Sequence, residues 1–311
     1  MKNETVDILL ATFNGFSFIA SQLDSILSQD YKNIRLIIRD DMSTDSTSRV
    51  LEAYSNQFPD VITLLPSERQ LGAKGNFSYL MGYSKADYIM FADQDDVWEE
   101  GKVGATLERM NLLELHNSKD IPLLVHTDLK VVDRDLNVLS SSFWNYCGID
   151  PSKGHTLNRL LMQNVVTGCT MMINRPLLEL GFPVPESAVM HDWWLALVAA
   201  AFGKIEVLPE ATMLYRQHAR NTVGASKFLS FSYFKNGLKR LNKPEKAKQF
   251  HAMELLKRYF YLLNARQKQL LKAFNKLPRA AFPQKVFLIL RYRFFKMGLI
   301  RNAVNILVKC Q

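Results

Sequence analysis

The chain has 311 residues, of which 48% are hydrophobic, as is usual for a globular protein with one large domain or one domain plus an appendage. This composition argues against disorder, and no apolar run approaches the ~20 residues of a transmembrane helix. The net charge of +9 is uneven: residues 226–311 hold 20 Lys and Arg but two acidic residues, a net +18, which leaves −9 for residues 1–225. We therefore expect an acidic domain at 1–225 and a basic region at 226–311, divided near 224–227, where turn residues coincide with the change of sign.

The sequence has the features of a cytoplasmic protein. No signal peptide precedes the first predicted strand, so we expect the chain to stay in the cytoplasm. The three cysteines, Cys147, Cys169 and Cys310, are odd in number and widely spaced, which argues against a disulfide framework and a cysteine-based zinc site. We expect them to be reduced packing residues.

Predicted strands and helices alternate over the first hundred residues. Apolar runs predict strands at 6–12, 34–39, 61–65 and 88–92, with helices after the first two and before the fourth. This alternation predicts a parallel, doubly wound sheet.

The later elements are less regular. After a helix at 102–116 we expect strands at 123–127 and 130–133, a buried strand within 164–173 and a helix that opens at 190–195. Gly168 indicates close approach of its backbone to a ligand or a neighbouring strand. In the basic region, apolar residues at helical spacing predict two long helices, at 253–274 and 286–308.

An acidic run directly follows the fourth predicted strand. Asp93, Asp95 and Asp96 would repel one another strongly unless a cation lay among them. Hard oxygen ligands at the carboxyl end of a strand suit Mg²⁺ or Mn²⁺ that shares its coordination with phosphates. The alternative is a solvated acidic turn before the next helix, because an Asp-x-Asp pattern is short and common.

Other polar residues also stand at predicted element ends. Thr12 and Asn14 follow the first strand, and Asp41 follows the second. Asp192 opens an apolar helix, where it either caps the helix or has a chemical role. His218 stands near a strand end, where a lone histidine is usually a surface residue.

Five ordered signatures together resemble the family-2 glycosyltransferases with the GT-A fold. They span roughly residues 5–224 and comprise Ala11-Thr12-Phe13-Asn14-Gly15, Arg39-Asp40-Asp41 with Ser43-Thr44-Asp45, Ala92-Asp93-Gln94-Asp95-Asp96-Val97-Trp98, Thr167-Gly168-Cys169-Thr170 and His191-Asp192-Trp193-Trp194. The resemblance implies a GT-A α/β fold, a mixed sheet flanked by helices, here with an α-helical C-terminal extension.

The resemblance also implies roles for single residues. Thr12, Asn14 and Asp41 match positions that meet the nucleoside of the donor, and Asp93 and Asp95 match the Asp-x-Asp pair, with Asp95 as a direct metal ligand. Asp192 matches the general base of an inverting transfer. His218 matches a late histidine that some GT-A enzymes add to the metal shell.

A narrower likeness is to rhamnosyltransferases of bacterial cell-wall and capsular polysaccharide synthesis. It is carried by Asp93-Gln94-Asp95-Asp96-Val97-Trp98, Val125-His126-Thr127-Asp128-Leu129, His191-Asp192-Trp193-Trp194 and Tyr215-Arg216-Gln217-His218. It implies transfer of L-rhamnose from dTDP-L-rhamnose to a lipid-linked polysaccharide acceptor, with a UDP-hexose donor as the alternative. Trp193 or Trp194 can line a pocket for the methyl group of a 6-deoxy sugar, or both can be core residues.

Two other classes of protein compete with this interpretation. A metal-dependent phosphoesterase also uses acidic strand ends, but the aspartate-nucleophile phosphatases place Asp-x-Asp after the first strand, whereas here it follows a later one. A non-enzymatic binding module would leave the carboxylates without a use. We expect no nucleic-acid binding, because no recognition motif accompanies the basic region.

The predicted helices of the basic region combine apolar faces with many cations. This combination is typical of helices that lie on an anionic membrane surface, so we expect peripheral attachment to the inner face of the cell membrane. The alternative is that the apolar faces pack on the catalytic domain or on a second subunit in a homodimer.

Overall fold

The computed structural model describes residues 4–218, 244–298 and 301–302. Within them, nine strands form one sheet. The strands are β1 Val6–Thr12, β2 Ile34–Asp40, β3 Ile62–Leu65, β4 Tyr88–Asp93, β5 Val97–Trp98, β6 Leu123–Val132, β7 Val138–Ser140, β8 Met171–Asn174 and β9 Lys204–Arg216. The helices are α1 Ile19–Leu27, α2 Thr47–Gln57, α3 Gly72–Met81, α4 Lys102–Asn117, α5 Phe143–Cys147, α6 Leu157–Met162, α7 Arg175–Gly181, α8 His191–Phe202, α9 Pro244–Arg258, α10 Ala265–Lys276 and α11 Phe282–Tyr292.

The sheet is mixed, as the family resemblance implies. Its strand order is β3-β2-β1-β4-β8-β6-β9-β5, and β7 pairs with β6. The first four strands are mutually parallel, as their alternation with helices predicts, whereas β8 runs antiparallel to both β4 and β6. The two strands predicted at 123–127 and 130–133 are one strand, β6, whose register against β9 shifts around Asp128.

Apolar clusters cover both faces of the sheet. Along β1, Ile8 and Leu10 point into one cluster and Leu9 into the other, which is the two-residue period of a strand buried on both sides. The first cluster includes residues of α1, α2 and α4, and the second includes residues of α3, α6, α7 and α8. The parallel strands are therefore held rigidly between two helical layers.

The C-terminal helices share the second cluster. Leu255 on α9, Phe274 on α10 and Ile289 on α11 are buried in the same core as Trp194 of α8. The change of charge near residue 225 thus does not separate two hydrophobic cores among the described residues. The predicted boundary at 224–227 itself lies outside the described residues.

The two long C-terminal helices predicted from periodicity are shorter in the structure. The helix predicted at 253–274 is interrupted after Arg258, and Asn264 begins α10 with a reciprocal capping box to Gln267, both bonds at 2.9 Å. The helix predicted at 286–308 starts earlier, at Phe282, and is interrupted at Arg293, whose φ of 54° is left-handed. Residues 301–302 are helical again, and 299–300 and 303–308 lie outside the described residues. The periodicity continued across the break because both segments face the same core. No described helix is both long and apolar enough to cross a membrane.

Candidate active site

The polar ends of three parallel strands meet at one edge of the sheet. Thr12 at the end of β1 pairs with Asp40 of β2, and Ala11 pairs with Asp93 at the end of β4. In open α/β sheets, ligands bind at this carboxyl edge. The predicted acidic strand ends are therefore neighbours in space.

The loops after β1 and β2 are tied to each other by side chains. Thr12 Oγ1 donates a 2.6 Å hydrogen bond to Asp40, and the Asn14 backbone N–H donates to Ser43 Oγ at 2.7 Å. Asn14 Oδ1 accepts from the backbone N–H of Thr44 at 2.8 Å. Asn14 has a φ of 51°, a left-handed conformation that asparagine tolerates better than most residues. Both predicted nucleoside-binding residues of the first loop are thus held in place.

The carboxylate of Asp41 is engaged within the chain. It pairs with Arg39 at 2.8 Å and accepts hydrogen bonds of 2.7 Å from the backbone N–H groups of Leu71 and Gly72, and only 3% of the residue is exposed. In the structure, Asp41 anchors the loop that enters α3. Both of its oxygens already accept hydrogen bonds from these donors. The contact of Asp41 with the nucleoside stays a prediction.

The central residue of the Asp93-Gln94-Asp95 run clamps the first loop. Gln94 Oε1 accepts from the Phe13 N–H at 2.7 Å, and Gln94 Nε2 donates to the Phe13 carbonyl at 2.9 Å. A Cβ atom on Gly15 would lie 2.3 Å from Gln94 Oε1, so only glycine fits there without movement of this clamp. Local sequence gives no sign of this role for Gln94, because its partner lies 81 residues away.

The end of β9 brings His218 to the acidic loop. His218 Nε2 lies 2.7 Å from Asp95 Oδ2, and its ring stacks on Phe18 with centroids 4.8 Å apart. Arg216 Nε donates to the Asp95 carbonyl at 2.9 Å, and the Arg216 N–H donates to Asp96 at 3.4 Å. The structure therefore brings together two of the three predicted metal ligands, Asp95 and His218, which are 123 residues apart.

The third predicted ligand, Asp93, lies beside Asp96, which belongs to the same predicted acidic run, and beside Cys169, which was predicted only as a packing residue. Ligand atoms of Asp93, Asp96 and Cys169 lie within 4.8 Å of one another. Asp96 is fully buried, and its Oδ2 has no hydrogen-bond partner in the described part of the chain. Burial, reinforced by the charges of Asp95 and Asp192, raises the pKa of Asp93 to about 7. Burial and its acidic neighbours also raise the pKa of Asp96 well above its ordinary value.

This crowding fits a divalent cation. A cation among these carboxylates would remove their repulsion and give the buried Asp96 oxygen a partner. The donor set of carboxylates and one imidazole suits Mg²⁺ or Mn²⁺, although Cys169 adds a softer atom at the buried end. Cys169 is free and buried, as predicted, yet it lies at the site rather than in an ordinary core.

A buried lysine lies behind the acidic loop. Lys102 is fully buried, its Nζ donates to Thr212 Oγ1 at 3.2 Å, and it lies 4.8 Å from the Trp98 ring centroid. Burial lowers the pKa of Lys102 to about 8, while the charges of Cys169 and Asp96 oppose that shift. Lys102 thus supplies a partial countercharge, which the sequence did not reveal because lysines at the start of a helix are usually exposed.

Asp192 is not a helix cap. Met190 is the extended N-cap residue of α8, and Asp192 lies in the first turn, where its carboxylate accepts from the Trp193 N–H at 2.5 Å. It also accepts from the Gly168 N–H and the Asn164 side chain. Burial raises the pKa of Asp192 to about 6. Asp192 also lies close enough to Asp93 for its negative charge to raise the pKa of Asp93.

The neighbours of Asp192 bear on two predictions from the sequence. A Cβ on Gly168 would lie 3.0 Å from His191 Nε2, so the close neighbour of this glycine is helix α8, whereas a ligand or a neighbouring strand was expected. Trp194 is fully buried and donates from Nε1 to the Gly181 carbonyl at 2.9 Å, which makes it a core residue. Trp193 is half-buried, and its Nε1 donates to the Leu160 carbonyl at 2.7 Å.

The sequence and the fold of the chain are similar to those of known glycosyltransferases. Residues 7–119 match the family described as Glycosyl transferase family 2. The chain is 29% identical over 249 residues to the dTDP-rhamnosyl transferase RfbG of Shigella flexneri, an alignment that covers 74% of this chain and 79% of that protein.

Two solved structures share the fold. S. aureus TarS 1–349 in complex with UDP-GlcNAc matches with a TM-score of 0.56 and 17% identity, over 93% of this chain and 80% of that one. The mannosyltransferase PcManGT from Pyrobaculum calidifontis, in complex with GDP-Man and Mn²⁺, matches with a TM-score of 0.51 and 15% identity, over 98% of this chain and 88% of that one. Residues 7–119 of the chain thus match a glycosyl transferase family 2 domain, and the chain has the GT-A fold.

Proposed function

We propose that the protein is a metal-dependent, inverting glycosyltransferase that transfers L-rhamnose from dTDP-L-rhamnose to a lipid-linked polysaccharide acceptor. The observation that carries the reaction type is the meeting of Asp93, Asp95 and Asp192 at one sheet edge. The similarity to a dTDP-rhamnosyl transferase supports the donor. A UDP-hexose is the second candidate, because a neighbour of the same fold holds UDP-GlcNAc.

The ends of β1 and β2 are the proposed nucleoside site. Thr12 and Asn14 lie on the loop that Gln94 clamps, so the nucleoside would meet a surface that is already ordered. Asp41 would act there partly by fixing the loop that enters α3. Such pre-ordering favours binding, because fewer groups lose conformational freedom when the donor arrives.

The proposed metal site consists of Asp95, Asp93 and His218. A bound Mg²⁺ or Mn²⁺ would neutralise the charge that develops on the departing nucleoside diphosphate. The crowded carboxylates support a cation, and a neighbour of the same fold was solved with Mn²⁺. His218 must give up its 2.7 Å contact with Asp95 if both are to serve as ligands.

Asp192 is the proposed general base. Its carboxylate takes the proton of the acceptor hydroxyl as that oxygen attacks C1 of the sugar, while the bond from C1 to the phosphate oxygen breaks on the opposite side. The nucleoside diphosphate leaves, and the configuration at C1 is inverted. With a pKa of about 6, Asp192 is mostly ionised at neutral pH and is more basic than an exposed aspartate.

The first prediction concerns the donor. The purified protein should transfer or hydrolyse the sugar of dTDP-L-rhamnose only when Mg²⁺ or Mn²⁺ is present, and it should do so faster than with UDP-sugars. Asp95→Asn should lose most of this activity and keep the fold. A screen of nucleotide sugars by mass spectrometry measures the donor preference of the wild type and the loss of activity in Asp95→Asn. Preference for a UDP-sugar would establish the second candidate, and release of phosphate from simple phosphomonoesters without transfer would support the phosphoesterase.

The second prediction concerns the metal and does not depend on activity. Because the pKa of Asp93 is raised to about 7 in the folded protein, its ionisation costs stability as the pH rises through that value. In metal-free buffer at pH 8, Asp93→Asn should therefore raise the melting temperature by ~2–4 °C for each kcal/mol of repulsion relieved. The gain should shrink toward pH 5, and added Mn²⁺ should stabilise the wild type more than the variant.

The control for this measurement is Asp87→Asn, an exposed aspartate just before β4. It should change neither the melting temperature nor the response to Mn²⁺. If neither Mn²⁺ nor a chelator changed the melting temperature of the wild type, the proposed metal site would be wrong.

The third prediction concerns the base. Asp192→Asn should lower kcat by ~10²-fold or more and leave donor affinity unchanged, which is the usual size of a general-base effect. The kcat of the wild type should rise with pH through about 6 and then level off, because the base must be ionised. The residual kcat of Asp192→Asn should not show this rise with pH. Loss of donor binding, or unfolding, in Asp192→Asn would show that the residue is structural.

We further propose that the basic region attaches the enzyme to an anionic membrane. Support comes from exposed apolar side chains on α11, where Phe282, Phe287 and Leu290 are 58–62% exposed and Arg291 and Arg293 are exposed beside them. Each cation near an anionic surface contributes ~1 kcal/mol before screening by salt. The opposite, apolar face of the same helices packs on the catalytic domain, so the proposed attachment concerns only the exposed face.

The fourth prediction tests this attachment. The full chain should co-sediment with vesicles that contain anionic lipid, and binding should weaken at high salt. Phe287→Asp combined with Leu290→Asp should abolish binding, whereas Leu115→Asp on α4, at a position that is 79% exposed, should not. Deletion of the basic region is a poor test, because Leu255 and Phe274 belong to the core. A wild type that stays in solution as a homodimer would assign the apolar face to a subunit contact.

A further inference from the structure

The segment between α7 and α8 leads the chain into Asp192, and α9 holds it at several points. Arg258 donates to the carbonyls of Phe182 and Pro183, the second bond at 2.6 Å. Tyr259, just after α9, donates from its hydroxyl to the Leu180 carbonyl at 2.6 Å. The basic C-terminal region therefore makes hydrogen bonds to the end of α7 and to the segment that leads into α8.

His251 makes the contact that lies nearest to Asp192. Its Nε2 accepts a 3.0 Å hydrogen bond from the Val189 N–H, and its ring packs edge-on against Trp193 with centroids 5.2 Å apart. The residue is 1% exposed, and burial, with the nearby charge of Lys74, lowers its pKa to about 4. A neutral ring is what the contact requires, because a protonated Nε2 could not accept from an N–H group.

These two contacts bracket Asp192 along the chain. Val189 stands three residues before it, Trp193 directly follows it, and Met190 between them is the extended N-cap of α8. Lys74 of α3 holds the same segment from another side by donating to the Ala188 carbonyl at 3.0 Å. The bond to His251 therefore lies two residues before the first residue of α8.

We propose that His251 is a positioning residue for the general base: it fixes the start of α8 so that the Asp192 carboxylate faces the acceptor hydroxyl. This inference rests on the proposed function of Asp192. A C-terminal region that differs in charge from the catalytic domain thereby becomes part of the catalytic geometry, in addition to any attachment to a membrane.

The size of the effect follows from the geometry of proton transfer. A base must lie within hydrogen-bond distance of the proton that it removes, and a misplacement of ~1 Å can cost ~10²-fold in rate. The residues proposed to bind the donor lie on β1, β2, β4 and after β9, where other contacts hold them. Loss of the His251 bond should therefore lower turnover and leave donor affinity unchanged.

The test compares three substitutions of His251 in the full chain. His251→Leu removes the acceptor and keeps the volume, and kcat should fall ~10-fold with the donor KM unchanged, for the same geometric reason. His251→Gln carries an oxygen that can reach the Val189 N–H, and it should recover most of the loss. His251→Asn is too short to reach, and it should behave like His251→Leu, which gives a second comparison if the leucine variant does not fold.

A matched control lies at the other end of α8. Gln267 Nε2 donates to the Ala201 carbonyl at 2.6 Å, so Gln267→Ala removes a contact between a C-terminal helix and α8 that lies far from Asp192. It should leave kcat unchanged even where it lowers the melting temperature. An equal loss of kcat in this variant would show that general destabilisation, and not positioning, explains the His251 variants.

A double-variant cycle separates this inference from the proposed function. In an Asp192→Asn background, His251→Leu should cause little further loss, since the base through which it acts is gone. Full additivity, or unchanged kcat in both His251→Leu and His251→Asn, would overturn the positioning role alone. Absence of transfer by the wild-type protein with every nucleotide sugar tested would instead overturn the proposed function.

Discussion

The mutual repulsion of buried carboxylates at the end of β4 is the constraint on which the rest of the site depends. Asp93, Asp95 and Asp96 stand within four residues, and the charge of Asp192 reaches them from α8. In a medium of low polarity, like charges at such short range are unfavourable unless some are protonated or a cation lies among them. Burial is the larger cause of the raised pKa values of Asp93 and Asp96, and repulsion from the neighbouring carboxylates adds to it.

The surrounding chain offsets part of that repulsion and leaves part of it in place. Lys102 lies behind the loop, Arg216 holds its backbone, and His218 contacts Asp95. Lys102 comes from α4 and Arg216 from the end of β9, so the fold supplies positive charge from elements far apart in the chain. The remaining excess of negative charge, with an unpartnered oxygen on Asp96, is suited to a cation that arrives with a diphosphate.

The C-terminal helices have a face that is buried in the core and a face that is exposed. One face is buried with Trp194, and through His251 and Arg258 it holds the segment before Asp192. The other face is exposed and apolar, with arginines beside it on α11. A surface contact on the exposed face would thus act on helices that also contact the segment before Asp192, the proposed general base.

The sequence by itself determined the parallel half of the sheet and the acidic residues at its edge. Strands buried on both faces leave continuous apolar runs, and the polar residues that follow them mark the carboxyl ends, so Thr12, Asp93 and Asp95 were identified from local pattern together with the family signatures. Only the tertiary structure decided which side chains complete the site. Four side chains near the site contact partners that are distant in sequence: Cys169, Lys102, Gln94 and His251. Neither composition nor periodicity reveals such contacts. The break between α9 and α10 was hidden for a related reason: burial against one common core imposes the same apolar spacing on two helices as on one.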